Sequence, residues 1–275
     1  MISLLKKWLA WGYALSTATI AFIPDFPVNN VKWLTDLLIQ YNIPNTYIVI
    51  AIKFLFLIAC LLAGFIISLL IYFCFTKRTI KFGHYTIELL YGDIFKYCDK
   101  SLKVIPFDEC FTLDIGKSAH QIKPTSLCGQ YLAKYPPDND LMQNISNTVH
   151  NNKFSQHNNN PCAESGTIIE RDDFILLAFA KLDYEGKGHL TNREYIESLM
   201  TLWDNLDKYS SQYNICVPVL GSNITRFDNG ELTKQQLLNI MIQTYMLASH
   251  KIKSPSKLII VCKRSENFSI WDFKY

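Results

Sequence analysis

The sequence has no His-Glu-x-x-His pair, no glycine-rich loop closed by a P-loop lysine and no Gly-x-Ser-x-Gly elbow. Zinc-peptidase, P-loop and serine-hydrolase chemistry therefore have no anchor in it. Its eight cysteines include no Cys-x-x-Cys pair, and no histidine stands near them at metal-ligand spacing, so no zinc site is expected. They read as reduced thiols, small buried hydrophobes in a cytosol-like compartment. Excess charge is scarce as well. The net charge is +3 over 275 residues, and no basic stripe with interleaved aromatics runs through the chain, so nucleic acid is not an expected partner. Apolar residues are abundant, at 49% of the chain with 13% aromatic. That is enough for a membrane segment and one globular domain of common size.

Residues 54–75 carry no charge and are long enough to cross a hydrocarbon core about 30 Å thick. Lys53 can snorkel to the interface at one end, and Lys77, Arg78 and Lys81 follow the other. A transmembrane helix is expected over 53–75. A weaker apolar run, 8–24, follows Lys6 and Lys7. It reads as a first span over about 6–24, or as a signal peptide with small residues near Ala18 and Ala21 at the cleavage site. On either reading the positive-inside bias places the basic flanks, and the large domain after them, in the cytoplasm. Between the runs, 31–41 is amphipathic and suits the outer membrane surface. The expected division is an anchor over 1–81 and a domain over 82–275.

In that domain, 85–91 and 102–107 read as strands, 126–135 and 141–149 as helices, and the asparagine-rich 151–161 as a loose loop. The apolar run 174–182 fits a buried strand, although periodicity alone also admits a helix. Residues 191–209 are the clearest helix, opened by the capping-box pair Thr191 and Glu194. A strand over 215–220, a helix capped by Thr233 and Gln236 and a strand over 257–263 complete an α/β domain. Ligands of such sheets sit beyond the strand carboxyl ends, where Asp93, Glu109 and Gly221 all fall.

The stretch Ile215-Cys-Val-Pro-Val-Leu-Gly-Ser-Asn-Ile-Thr-Arg-Phe227 runs from strand to tight loop to helix, an order that makes an anion site of phosphate size. Gly221 permits close backbone approach, Ser222 and Thr225 add hydroxyls, and Arg226 adds a charged fork. A plain Gly-Ser-Asn turn accounts for the same residues. A second place where N–H groups can face a ligand is Ser126-Leu-Cys-Gly-Gln130.

Tyr91-Gly-Asp-Ile-Phe95 resembles the Gly-Asp-Ile motif of macro domains, which bind ADP-ribose. Ile105-Pro-Phe-Asp-Glu-Cys-Phe111, Ser126-Leu-Cys-Gly-Gln-Tyr131, Leu176-Leu-Ala-Phe-Ala-Lys-Leu-Asp183 and Val217-Pro-Val-Leu-Gly-Ser222 look like one divergent branch, the membrane-anchored macro effectors of type II Thoeris antiphage defence. The resemblance implies a macro-like three-layer α/β/α domain behind two transmembrane helices in the bacterial inner membrane. It implies a sensor rather than an enzyme, with no cofactor. A TIR-domain partner would make a histidine–ADP-ribose messenger, the sensor would bind it and form homo-oligomers, and the spans would disrupt the bilayer in abortive infection. Carried over, Asp93 would meet the adenine amino group, and Ile94 would offer its N–H to the ring. Gly221, Ser222, Asn223, Ile224 and Thr225, with Arg226 beside them, would wrap the diphosphate. Ser126, Gly129 and Gln130 would form the opposing wall, and Asp108 and Glu109 would lie near the distal ribose. The chain departs from the pattern at Asn223, where macro domains tend to have a second glycine, and at Cys128, where the branch usually has histidine. The Asn-Ala-Ala-Asn segment of macro hydrolases is replaced by Pro106-Phe-Asp-Glu109.

Other readings compete. Asp183-Tyr-Glu-Gly-Lys-Gly-His-Leu-Thr-Asn-Arg-Glu194 matches an EF-hand at several positions, but Lys187 stands where an oxygen ligand is needed. Asp108 and Glu109 could share acid–base work in a membrane-bound ADP-ribosyl hydrolase; a solvated turn is the plain alternative. Asn-x-Ser/Thr triplets at Asn144, Asn223 and Asn267 are chance matches on a cytoplasmic domain.

Overall fold

The structure, a computed structural model, describes residues 13–14, 17, 45–74, 76–97, 100–116, 118, 121–157, 159–209, 212–222, 226–227 and 230–273. The chain divides into two compact units, 1–76 and 77–275.

In the first unit, helix α1 (Asn45–Cys74) is 30 residues long, or about 45 Å at the standard rise. It contains the expected span 53–75 up to Cys74. The other expected span, 6–24, lies outside the described residues except at 13, 14 and 17. Among the described residues no helix is long and apolar enough to cross a membrane; the side chains of α1 are described only at 47, 50–51, 54–67 and 70. Of these, Phe54, Leu55, Leu62, Phe65, Ile66 and Leu70 are all exposed.

The second unit is built on a nine-stranded sheet. Its strands are β1 (Lys77–Phe82), β2 (Tyr85–Tyr91), β3 (Ser101–Asp108), β6 (Ile168–Arg171), β7 (Phe174–Leu182), β8 (Gly188–Leu190), β9 (Asn214–Pro218), β10 (Arg226–Phe227) and β11 (Leu258–Cys262). The order is β1-β2-β11-β9-β3-β7-β8-β10, with β6 paired to β7. From β2 to β7 the central strands are parallel. Strands β4 (His150–Phe154) and β5 (Pro161–Cys162) form a separate pair, so the segment expected as a loose loop is partly a small antiparallel ribbon.

Both faces of the sheet are covered, which explains the nearly continuous apolar strands. Alternate residues of β7 point opposite ways: Ile175, Leu177 and Phe179 join one core, and Phe174, Leu176 and Ala178 the other. The first core is closed by α5 (Asn192–Leu206) and α6 (Lys234–Leu247), through Leu199, Trp203, Met241 and Tyr245. The second is closed by α3 (Leu127–Lys134) and α4 (Asn139–Thr148), through Tyr131, Leu132 and Leu141. The short α2 (Ile94–Tyr97) brings Ile94 to a third cluster with Cys216, Ile259 and Val261. The result is the expected three-layer α/β/α arrangement. Both expected capping boxes are present, Thr191 with Glu194 and Thr233 with Gln236.

Two expectations need revision. Residues 77–81, grouped by sequence with the anchor, lie in edge strand β1. Only Ile80 of that strand is buried and its lysines are outward, the usual protection of a sheet edge. Reduced thiols were expected throughout, and Cys110, Cys128, Cys162 and Cys262 are free, but Cys216 is disulfide-bonded.

The C-terminal segment 264–273 folds back beside β1 and β2. The Tyr91 hydroxyl accepts the Ile270 N–H at 3.0 Å. Arg78 donates to the carbonyls of Ile270 at 2.9 Å and Phe273 at 3.4 Å. Next to it, Glu88 is 6% exposed and pairs with Lys77 and Lys257. Burial alone would raise the Glu88 carboxyl, but the Lys257 and Lys77 ammoniums outweigh it and hold it below the usual carboxylate range. The stability this supplies is present above the unfolded-state value of 4.5 and is lost as pH falls through the depressed folded-state value. Thermal unfolding of Glu88→Gln is therefore expected to depend less steeply on pH below about 4.5 than that of the wild type. Equal acid slopes would show that the triad is not linked to folding.

Candidate functional site

The carboxyl ends of β2, β11, β9, β3 and β7 open onto one cavity of about 650 Å³, within the range of small-molecule sites. It lies where ligands of parallel sheets bind.

At the end of β9 the chain passes Leu220 and turns at Gly221, whose φ is +76°. A side chain there is strained; an added Cβ would also lie 3.2 Å from Phe227 Cζ. The turn is fixed from beneath by the buried Tyr195 of α5, whose hydroxyl donates to the Leu220 carbonyl at 3.2 Å. Burial pushes that phenol far above its ordinary pKa, so it remains a donor. Ser222 turns its hydroxyl back onto the Val219 carbonyl at 2.7 Å. Among the described residues, the Gly221 N–H has no hydrogen-bond acceptor, and a tight turn over 220–221 closes at Ser222. The loop thus lines the cavity at Gly221 and Ser222, with the Ser222 hydroxyl holding its shape.

At the end of β2, Asp93 accepts the Phe95 N–H on Oδ1 at 3.0 Å, which orients the carboxylate at the start of α2. Asp93 and Ile94 line the same cavity as Gly221 and Ser222. The wall formed by α3 is present too. Ser126 is its N-cap, accepting the Gly129 N–H at 3.0 Å and donating to the Lys123 carbonyl at 2.7 Å. Gln130 lines the cavity and donates to the Thr125 carbonyl at 3.0 Å. Gly129 does not reach the surface of the wall. It allows the helix to lie close against the chain that precedes its cap, since an added Cβ would lie 2.3 Å from the Lys123 carbonyl oxygen.

The neighbouring carboxylates diverge. The register between β3 and β7 shifts at Phe107/Asp108, and such irregularities re-aim side chains. Asp108 lines the cavity, its Oδ1 accepting the N–H groups of Cys110 at 2.9 Å and Thr112 at 3.2 Å. Burial raises its carboxyl above the usual range despite those donors. Glu109 is 5% exposed and lies off the wall, accepting the Leu182 N–H at 3.3 Å. Cys128 lines the cavity as a thiol, because burial first, and Asp108 second, hold its pKa well above the usual value.

Of the remaining expected residues, Arg226 opens β10, exposed and off the cavity wall. Asn223, Ile224 and Thr225 lie outside the described residues. Sequence reasoning missed the cations of the site: Lys123, Lys187, Lys234 and Lys263 all line the cavity. One signal was available. The lysine that spoils the calcium-like loop, Lys187, lies between Gly186 and Gly188, and all three face the cavity. The loop's own carboxylates are committed elsewhere. Asp183 Oδ1 accepts the N–H groups of Glu185 and Lys187, each at 2.9 Å. Glu194 caps α5 through the Thr191 N–H at 2.8 Å and pairs with Lys181. Burial opposes ionisation of Glu194, yet Lys181 and the cap hold it at about 2. Among the described residues no cluster of three metal-ligating side chains exists.

Compared with known proteins, residues 87–263 match the family model for the macro domain of Thoeris protein ThsA. The Thoeris protein ThsA of Bacillus amyloliquefaciens (strain Y2) is 26% identical over 205 residues, covering 71% of this chain and 68% of that protein. Among solved structures, the Oceanobacillus iheyensis macrodomain with ADP aligns at a TM-score of 0.42 with 16% identity, covering 69% of this chain and 89% of that one. The same macrodomain with MES bound aligns at 0.37 with 15% identity, again over 69% and 89%.

Proposed function

The chain belongs to the Thoeris ThsA macro-domain family, and on that premise we propose that its second unit binds an ADP-ribose-type nucleotide as a messenger and returns it unchanged. One observation supports the reading above the others: Asp93 at the end of β2 and the Gly221–Ser222 turn after β9 line one cavity. An adenine with its ribose at the first and a diphosphate at the second match that pairing of a carboxylate acceptor with a main-chain turn. The sensing role, rather than hydrolysis, is supported by Glu109 lying off the cavity wall, which leaves Asp108 without the neighbouring carboxylate that a two-acid mechanism needs.

The wider proposal is a Thoeris antiphage effector. A TIR-domain partner supplies a histidine–ADP-ribose-type messenger, α1 and the segment before it anchor the chain in the bacterial inner membrane, and the second unit is cytoplasmic. Binding drives self-association and membrane disruption. The exposed apolar side chains described on α1 support a lipid-facing role, since large exposed apolar patches mark membrane or partner contacts. Calorimetry of the full chain with ADP-ribose and with its histidine conjugate tests the core claim. Saturable binding of at least one, with the ligand recovered intact, is the expected result. No heat with either, or recovery of a cleaved product, would overturn it.

A further inference from the structure

We propose that Lys234 is the residue that supplies positive charge to the ligand's diphosphate, and so makes the site selective for a diphosphate over an uncharged nucleoside; the inference rests on the nucleotide reading above. Lys234 is the first residue of α6, after the N-cap Thr233. Its neighbour one turn on, Leu237, has Cδ2 3.5 Å from where a Cβ on Gly221 would stand. Residues three apart share a helix face, and helical side chains lean toward the N-terminus. Lys234 therefore stands on the helix face that packs against the Gly221 turn, and it joins the wall of the cavity. Its ammonium donates to the Lys263 carbonyl and lies 4.6 Å from the centre of the Phe268 ring. Its ammonium is thus held at the end of β11, on the wall of the cavity that the Gly221 turn also lines.

Two features point to an anion there. A lysine at the first position of a helix is opposed by the helix dipole, which favours negative charge at that end. Lys234 also has no carboxylate partner among the described residues. Lys263, a second cation, lines the cavity beside it. Burial first, and the charge of Lys263 after it, hold the Lys234 ammonium below the usual lysine range. A diphosphate would relieve both the unfavourable dipole and the crowding of two cations.

The test uses the full chain, Lys234→Gln and Lys234→Arg, with ADP-ribose, adenosine and inorganic pyrophosphate as probes. Lys234→Gln is expected to weaken ADP-ribose roughly ten- to hundredfold, the range for a lost charged hydrogen bond. Adenosine binding and the ligand-free unfolding temperature are expected to stay unchanged, and Lys234→Arg to recover most of the affinity. Pyrophosphate should raise the unfolding temperature of the wild type and not of Lys234→Gln. Unchanged ADP-ribose affinity in Lys234→Gln, or an equal loss for adenosine, would overturn the assignment while leaving the nucleotide reading intact. A wild type that responds to pyrophosphate but not to ADP-ribose would remove the nucleotide reading and keep the charge assignment. A wild type that responds to neither removes both.

Discussion

Gly221→Asp leaves the full chain with no measurable ADP-ribose binding at concentrations that saturate the wild type. Two effects combine. The backbone at Gly221 has a φ of +76°, which costs a non-glycine residue about 1–2 kcal/mol, and the added Cβ meets Phe227 at 3.2 Å. The larger effect is electrostatic. A carboxylate placed about 4 Å from a phosphate charge costs roughly 4 kcal/mol at the effective dielectric of a protein surface, or nearly a thousandfold in affinity. Gly221→Asn separates the two effects, because asparagine has the same shape, tolerates the left-handed region and carries no charge. It is expected to bind more weakly than the wild type but far better than the aspartate variant. Normal affinity in Gly221→Asp would mean that the diphosphate does not lie on this turn.

The second large effect is on folding. Trp203→Ala is expected to cost about 3–5 kcal/mol in chemical denaturation followed by circular dichroism, the usual range for truncating a buried aromatic. Trp203 is 1% exposed. It joins α5 to α6 in two ways: its indole N–H donates to Thr244 Oγ1 at 3.1 Å, and its ring meets Tyr245 edge-on at 5.3 Å. Against a total stability of about 5–15 kcal/mol, that loss removes a large share. The consequence reaches the site, since α5 carries Tyr195 beneath the Gly221 turn and α6 carries Lys234. Trp203→Phe keeps most of the apolar contact and loses the hydrogen bond, so it should fall between the two. A cost below about 1 kcal/mol for the alanine variant, less than the usual range for such truncations, would show that the helices do not depend on this contact.

The elements legible in the sequence were those that carry a local signal. Strand 85–91 and the run 174–182 match β2 and β7 residue for residue; β7 is written as an almost unbroken apolar run because both its faces are buried, and β2 is bounded by the Gly92-Asp93 break. The capping boxes at Thr191 and Thr233 fixed two helix starts, since their partners lie within one turn. Elements defined by distant partners were not legible. Strand β1 reads as a basic flank until β2 pairs with it, and β8 and β10 are only three and two residues long. For the site, the two strand ends bearing Asp93 and Gly221 were readable as a convergence. The divergence of Asp108 and Glu109 was not, because the sequence reading ended the strand at 107, whereas β3 runs on through Asp108 and successive strand residues point to opposite faces. The lysines were missed because they come from separate loops and helices, and only the folded sheet brings them to one cavity.

The tie between Arg78 and the carbonyls of Ile270 and Phe273 has a mechanical consequence. Strand β1 joins the sheet at Lys77, the open end of its hairpin with β2, opposite the turn at Gly83. Tension applied to the chain at residue 76 would load that ladder rung by rung, its weak direction, beginning at Lys77 with Leu90 and Arg78 with Leu89. Arg78 is thus a clasp on one of the first rungs to fail, fastened to a segment 192 residues further along. Peeling cannot pass the Arg78 rung without also breaking its hold on Ile270 and Phe273.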